Sequence, residues 1–115
     1  MKKMIIAVLF SLFAVMPMVS AEDIWVYTEE DRGYEYYVDD TSPCRIADAD
    51  WSVRYSVVDK KRNKLLRKDT MCFYIEGNKV CCYDLSNPNR VRHANIFNET
   101  GPIFLWLTEW KKTHM

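Results

Sequence analysis

From Trp51 to Asp59 the chain alternates: Trp51, Val53, Tyr55 and Val57 are apolar or aromatic, and Ser52, Arg54 and Ser56 between them are polar. A period of two over that length predicts a half-buried β-strand, with one face on a core. Ile24 to Thr28 and Tyr34 to Val38 are rich in aromatic and β-branched residues, and Glu29-Glu30-Asp31-Arg32-Gly33 between them reads as a hairpin loop. Lys60 to Asn63 predicts the next turn, followed by a strand from Lys64 to Glu76 in which Leu65, Met71, Phe73 and Ile75 share one parity. Gly77-Asn78 predicts a second tight hairpin. In that register Ile75 faces Val80, Phe73 faces Cys82 and Tyr74 faces Cys81, which gathers the apolar partners on one side.

The remaining segments are less regular. Asp39 to Asp50, with Pro43, Cys44 and several acidic and small residues, reads as a loop with room for one helical turn. Asn87-Pro88-Asn89 reads as a turn ahead of a strand from Arg92 to Phe97. After it the period changes to that of a helix: Ile103, Trp106, Leu107 and Trp110 fall at helical spacing. Thr100 can cap this helix, Pro102 suits its first turn, and Lys111 and Lys112 complement its dipole. The two tryptophans read as core filler. The fold class expected is α+β, an antiparallel sheet of five to six strands with one C-terminal amphipathic helix packed on one face.

Residues 1–21 change the picture of where this fold works. Lys2-Lys3, an apolar run from Met4 to Met16 and the ending Val19-Ser20-Ala21 have the form of a secretory signal, with cleavage expected after Ala21. Residues 22–115 are then one small domain, and no later stretch has the roughly 18 to 20 apolar residues of a membrane-spanning helix. The expected location is periplasmic, secreted or on the cell surface. The whole chain has 16 basic and 16 acidic residues. They are segregated: Glu22 to Asp50 holds ten acidic residues against two basic, and Trp51 to Met115 holds six against twelve. A near-neutral total with export argues against a nucleic-acid partner. The two halves either neutralise each other across the fold or leave a basic patch.

Few residues suggest chemistry. His93 and His114 are the only histidines, and Gly-x-Ser-x-Gly, His-Glu-x-x-His, a phosphate-cradling glycine loop and Cys-x-x-Cys do not occur. No enzyme, cofactor or metal is expected. Cys44, Cys72, Cys81 and Cys82 are disulfide candidates in an exported chain. Cys82 should point into the core, while Cys72 and Cys81 stand diagonally on the outer face, poorly placed for a bridge. A bridge that includes Cys44 is the reading this supports. The densest charge cluster is Lys60, Lys61, Arg62 and Lys64, extended by Arg67 and Lys68. It is either a solvated hairpin tip or the docking site for an anionic partner. Asn98-Glu99-Thr100 matches a glycosylation sequon, of consequence only in a eukaryotic secretory route.

Trp25-Val26-Tyr27, then Tyr36-Tyr37-Val38-Asp39-Asp40-Thr41-Ser42, then Trp51-Ser52-Val53 opening an alternating strand, resembles the surface-adhesin E-like family of small exported bacterial proteins. The resemblance covers about the first half of residues 22–115. It implies an antiparallel sheet with a packed helix and a partner among host matrix or serum proteins, and no binding residue is carried over by motif. The function expected is a secreted or periplasmic, non-enzymatic, adhesin-like binding protein. Its partner would be an extracellular or envelope protein or an anionic polysaccharide. The alternative is an inhibitor of a secreted hydrolase that inserts the Asp40 to Asp48 loop into a cleft.

Overall fold

The computed structural model describes residues 23–47 and 49–114; the expected signal segment and its cleavage point lie outside the described residues. Seven strands form one antiparallel sheet: β1 (Asp23–Glu29), β2 (Tyr34–Asp39), β3 (Cys44–Arg45), β4 (Trp51–Asp59), β5 (Lys64–Glu76), β6 (Lys79–Asp84) and β7 (Asn87–His93). A single helix follows among the described residues, α1 (Thr100–His114). The spatial order β1-β2-β4-β5-β6-β7 follows the chain except that β3 pairs beside β4. This is the α+β fold expected of the sequence, and short hairpin loops build nearly all of it.

β4 and β5 begin and end where the alternation does, and β5 pairs β6 in the expected register, with Ile75 opposite Val80, Phe73 opposite Cys82 and Tyr74 opposite Cys81. Three segments differ from the sequence reading. The Asp39 to Asp50 segment contains a two-residue strand rather than a helical turn, because Cys44 and Arg45 pair with Ser52 and Trp51. The last strand spans Asn87–His93 instead of Arg92 to Phe97. Pro88 lacks an N–H, and an edge strand can accommodate that, so the turn falls earlier, at Leu85 and Ser86, between the paired Asp84 and Asn87. The parity of Leu65 with Met71 is broken by a bulge: Arg67 faces Val57, but Leu65 faces Val58.

The helix packs on one face of the sheet. Val38, Val53, Met71, Phe73 and Cys82 from the strands meet Ile103 and Leu107, all of them at most 2% exposed. Trp106 and Trp110 are half-buried against the same cluster. Trp110 meets Trp51 edge-on at 6.2 Å and donates its Nε1–H to the carbonyl of Asp40 at 3.0 Å, which fixes the far end of the helix to the β2–β3 loop. At the near end Asn98 is the capping side chain, since its Oδ1 accepts from the N–H of Thr100 at 2.9 Å. Thr100, the expected cap, lies inside the helix and accepts from the N–H of Asn95. Gly101 is required by close approach: a Cβ there would stand 2.5 Å from the carbonyl oxygen of Asn95.

Candidate functional site

The helix covers only part of its sheet face. Beyond the start of α1 the strands continue without a cover and form a trough of about 700 Å³. One wall is the β1–β2 hairpin with Glu29, Glu30, Asp31 and Arg32; the opposite wall is β7 with Arg90 and Arg92; Phe97 to Glu99 close the side towards the helix. Tyr36 and Arg67 form part of the floor. The sequence explains why this half stays open. The same parity that supplies Val53, Phe73 and Cys82 under the helix supplies Tyr36, Tyr55, Arg67 and Arg92 here, and their polar ends cannot be sealed under an apolar helix without partners.

Those partners form a ladder of alternating charge. Asp69 lies 3.5 Å from Arg67, Arg67 3.9 Å from Asp84, Asp84 3.8 Å from Arg92, and Arg92 3.1 Å from Glu99. Tyr55 donates its hydroxyl to Asp84 at 2.8 Å. Asp69 accepts from the N–H of Thr70 at 2.8 Å and from the hydroxyl of Ser86. Burial works against the charge on both arginines, yet both are held above the ordinary guanidinium value: on Arg67 by Tyr55 and Asp84, on Arg92 by Glu99 and Asp84. Burial, helped by Glu99, pushes Tyr36 up to about 12. Tyr55 is raised by burial and by Asp84. The floor is thus fully protonated on its tyrosines and fully charged on its arginines at neutral pH.

Within the ladder the two arginines differ. Arg92 is 23% exposed along its side chain and makes the one short contact, to Glu99. Arg67 is 43% exposed, and its ion pairs of 3.5 and 3.9 Å are longer than a charge-assisted hydrogen bond. Its guanidinium sits 5.4 Å from the centre of the Tyr55 ring and lines the trough. Tyr55 stacks on Tyr36 at 6.4 Å, and Tyr36 meets Tyr27 at 5.8 Å. Tyr27 in turn donates to the carbonyl of Phe97 at 3.2 Å. Phe97 itself is 83% exposed at the rim.

The basic residues singled out in the sequence are divided by this structure. Lys60, Lys61, Arg62 and Lys64 are exposed around the β4–β5 tip, Arg67 lines the trough, and Lys68, opposite Ser56, points to the other face of the sheet. The tip is also less basic than its composition. It lies against the acidic β1–β2 loop, where Lys60 donates its N–H to the Gly33 carbonyl at 2.9 Å and the Lys61 stem packs across Gly33. Lys60 approaches Glu35 at 3.9 Å, and Arg62 approaches Asp59 at 3.6 Å. Part of the charge segregation along the chain is therefore cancelled by neighbouring hairpins. Arg90, Arg92, Tyr36 and Tyr55 were not selected from the sequence. Parity places each on the helix-bearing face, but a side chain under the helix and one beyond its end have the same pattern.

All four cysteines are free thiols here. Cys82 joins the core, and burial pushes it up to about 11. Cys72 and Cys81 lie on the opposite face, buried beside Tyr83 and Tyr74, whose rings approach to 6.2 Å. The bridge expected to include Cys44 is not formed in this arrangement. Cys44 is exposed and stands in one row with Ser52 and Cys72. Two strand spacings of about 4.8 Å put Cys44 and Cys72 roughly 9.6 Å apart, beyond bridging distance. His93 faces Cys81 across the β6–β7 pair, and His114 stacks on Trp110 at 4.2 Å. No group of three or more His, Cys, Asp or Glu side chains among the described residues is arranged to hold a metal ion, and no described helix is long and apolar enough to cross a membrane. No protein-family model, curated protein or solved structure matches the chain.

Proposed function

We propose that the chain is a non-enzymatic, adhesin-like binding protein that works outside the cytoplasm. It would dock a host or cell-envelope macromolecule by seating an anionic group in the trough. The observation that carries this reading is Arg67: partly exposed, 5.4 Å from the centre of the Tyr55 ring, and paired with Asp69 and Asp84 only at 3.5 and 3.9 Å. An arginine that lines a trough and makes only long ion pairs there suits a carboxylate, sulfate or phosphate oxygen pair. The ladder around it holds charge in place, and Phe97 at the rim offers an apolar contact next to it. Residues 1–21, with the form of a secretory signal, and the resemblance to the surface-adhesin E-like family support the location and the class of partner.

Retention of residues 22–115 on immobilised heparin and on an acidic matrix protein tests this reading. Arg67→Lys should weaken binding about tenfold by losing the planar fork, with the fold intact. Replacement of Lys60, Lys61, Arg62 and Lys64 by Gln should mainly slow association and flatten the salt dependence. If the Gln variant loses all retention while Arg67→Lys keeps it, the tip and not the trough is the seat.

The inhibitor reading has one observation in its favour. Ile46 is 55% exposed on a loop fastened by Asp39 to Thr41 and by Ser42 to Arg54. Inhibition of a panel of secreted hydrolases that is lost on Ile46→Asp would select it instead.

A further inference from the structure

The two rims of the trough carry opposite charge. On the β1–β2 side, Glu29 is neutralised by Arg32 at 2.7 Å, while Glu30 and Asp31 have no ion pair among the described residues. On the β7 side, Arg92 is committed to Glu99 and Asp84, while Arg90 likewise has no ion pair among the described residues. The floor between them offers Arg67. A ligand that lies across the sheet thus meets an open negative rim at one end and open positive groups in the middle and at the other end.

From this layout we infer that the partner presents a polypeptide segment of mixed charge, lying across the strands with a cationic side chain at Glu30 and Asp31 and a carboxylate at Arg67 or Arg90. The inference rests on the trough being the binding seat. It names the class of partner. A uniform polyanion such as a sulfated glycan would gain at Arg67 and Arg90 but be repelled at Glu30 and Asp31, so the acidic rim acts against it. A free amino acid is too short. From the β1–β2 hairpin to β7 the sheet crosses four to five strand spacings, a contour of about 20 Å. Roughly six extended residues span that distance. Phe97 at the rim and Tyr27 beside it supply the aromatic surface on which a polypeptide side chain can rest.

The test uses fluorescence anisotropy with labelled heptapeptides that carry two lysines at one end, two glutamates at the other and Ser-Tyr-Ser between, made in both chain directions. An all-glutamate heptapeptide and a heparin tetrasaccharide serve as competitors of the other class. One of the mixed-charge peptides should bind at least tenfold tighter than either. The variant with both Glu30→Lys and Asp31→Lys should reverse that order in favour of the all-glutamate peptide, while Arg90→Glu should weaken the mixed-charge peptide about tenfold; all three positions are exposed, and unchanged melting curves would show the fold kept.

Heparin or the all-glutamate peptide binding the parent as tightly as the mixed-charge peptide, with loss on Arg67→Lys, would overturn the polypeptide inference and leave the trough as a polyanion seat. If no probe responds to the rim reversals or to Arg67→Lys, both the inference and the trough reading fall.

Discussion

One face of one sheet is built in two ways. Under the helix, Val38, Val53, Phe73 and Cys82 are closed by Ile103 and Leu107 into an apolar interior. Beyond the helix, the same strands carry Arg67, Asp84 and Arg92 along an open trough, above Tyr36 and Tyr55, which are buried in the same core cluster. The covered half gains from removing apolar surface from water, about 25 cal/mol per Å². In the open half Tyr36 and Tyr55 share that gain, while the charges above them roughly repay their own desolvation. The exposed charges of the trough can therefore be altered for binding with less loss of stability than the core beneath and beside them.

This difference makes Leu107→Ala the most damaging of the changes considered. It deletes most of a side chain that is 0% exposed, and such cavities cost about 2 to 5 kcal/mol. Urea unfolding should show that loss, with peptide or heparin affinity of the folded fraction unchanged. A change in affinity would mean that the two halves are coupled through the start of α1.

Arg92→Met should cost less, about 1 to 3 kcal/mol, because Glu99 and Asp84 would be left without their shared partner. The companion variant with Arg92→Met, Glu99→Gln and Asp84→Asn should recover much of it. Failure to recover would show that the ladder contributes packing as well as charge balance.

A smaller effect should appear in alkali. Tyr36 is raised to about 12 in the fold, chiefly by burial, against about 10 in the unfolded chain. The unfolded state therefore loses its proton first. The stability this group contributes is complete below about pH 10 and is lost as pH rises towards about 12. Tyr55 is shifted in the same direction. Tyr36→Phe should flatten the decline in melting temperature between those values, whereas a change in the covered half should leave the slope alone.

The gentlest probe leaves stability untouched. With a thiol reagent under native, reducing-then-desalted conditions, Cys44 should react at the rate of an exposed thiol and Cys82 only as fast as the covered half opens. Mass mapping of the labelled positions reads both at once. Early labelling of Cys82 would show that the helix detaches without global unfolding; absence of labelling at Cys44 would point to a bridge formed after rearrangement of β3.

The covered half was the more legible in the sequence. Its strands follow strict alternation, and Gly77-Asn78 sets the β5–β6 register and with it the inward direction of Cys82. Ile103 and Leu107 were legible as a helical stripe for the same reason. The open half was not, because its defining contacts join residues of different elements: Asp69 with Ser86, Arg92 with Glu99, Tyr27 with Phe97. A run of like charges attracts notice in a sequence, but a ladder of alternating charge forms only when the strands are side by side. Arg67 was noticed for its neighbours Lys64 and Lys68 and has its place in the fold for a different reason. The bulge opposite Val57 and Val58 and the edge position of Pro88 also depend on pairing partners rather than on local pattern.

The order of elements has a consequence for how the molecule folds. Except for β2 and β4, which are joined through the segment that holds β3, each long strand of the sheet finds its neighbour within a short hairpin, so most of the meander can assemble from local contacts. The helix that covers its apolar half follows all of these strands in the chain. As the chain emerges N-terminus first, then, a nascent sheet would expose Val53 and Phe73 until α1 follows. The join that ends this exposure, from Trp110 to the carbonyl of Asp40, spans 70 positions. It ties the arriving helix to one of the earliest loops, so helix docking rather than strand pairing is the step at which a holding chaperone would be released.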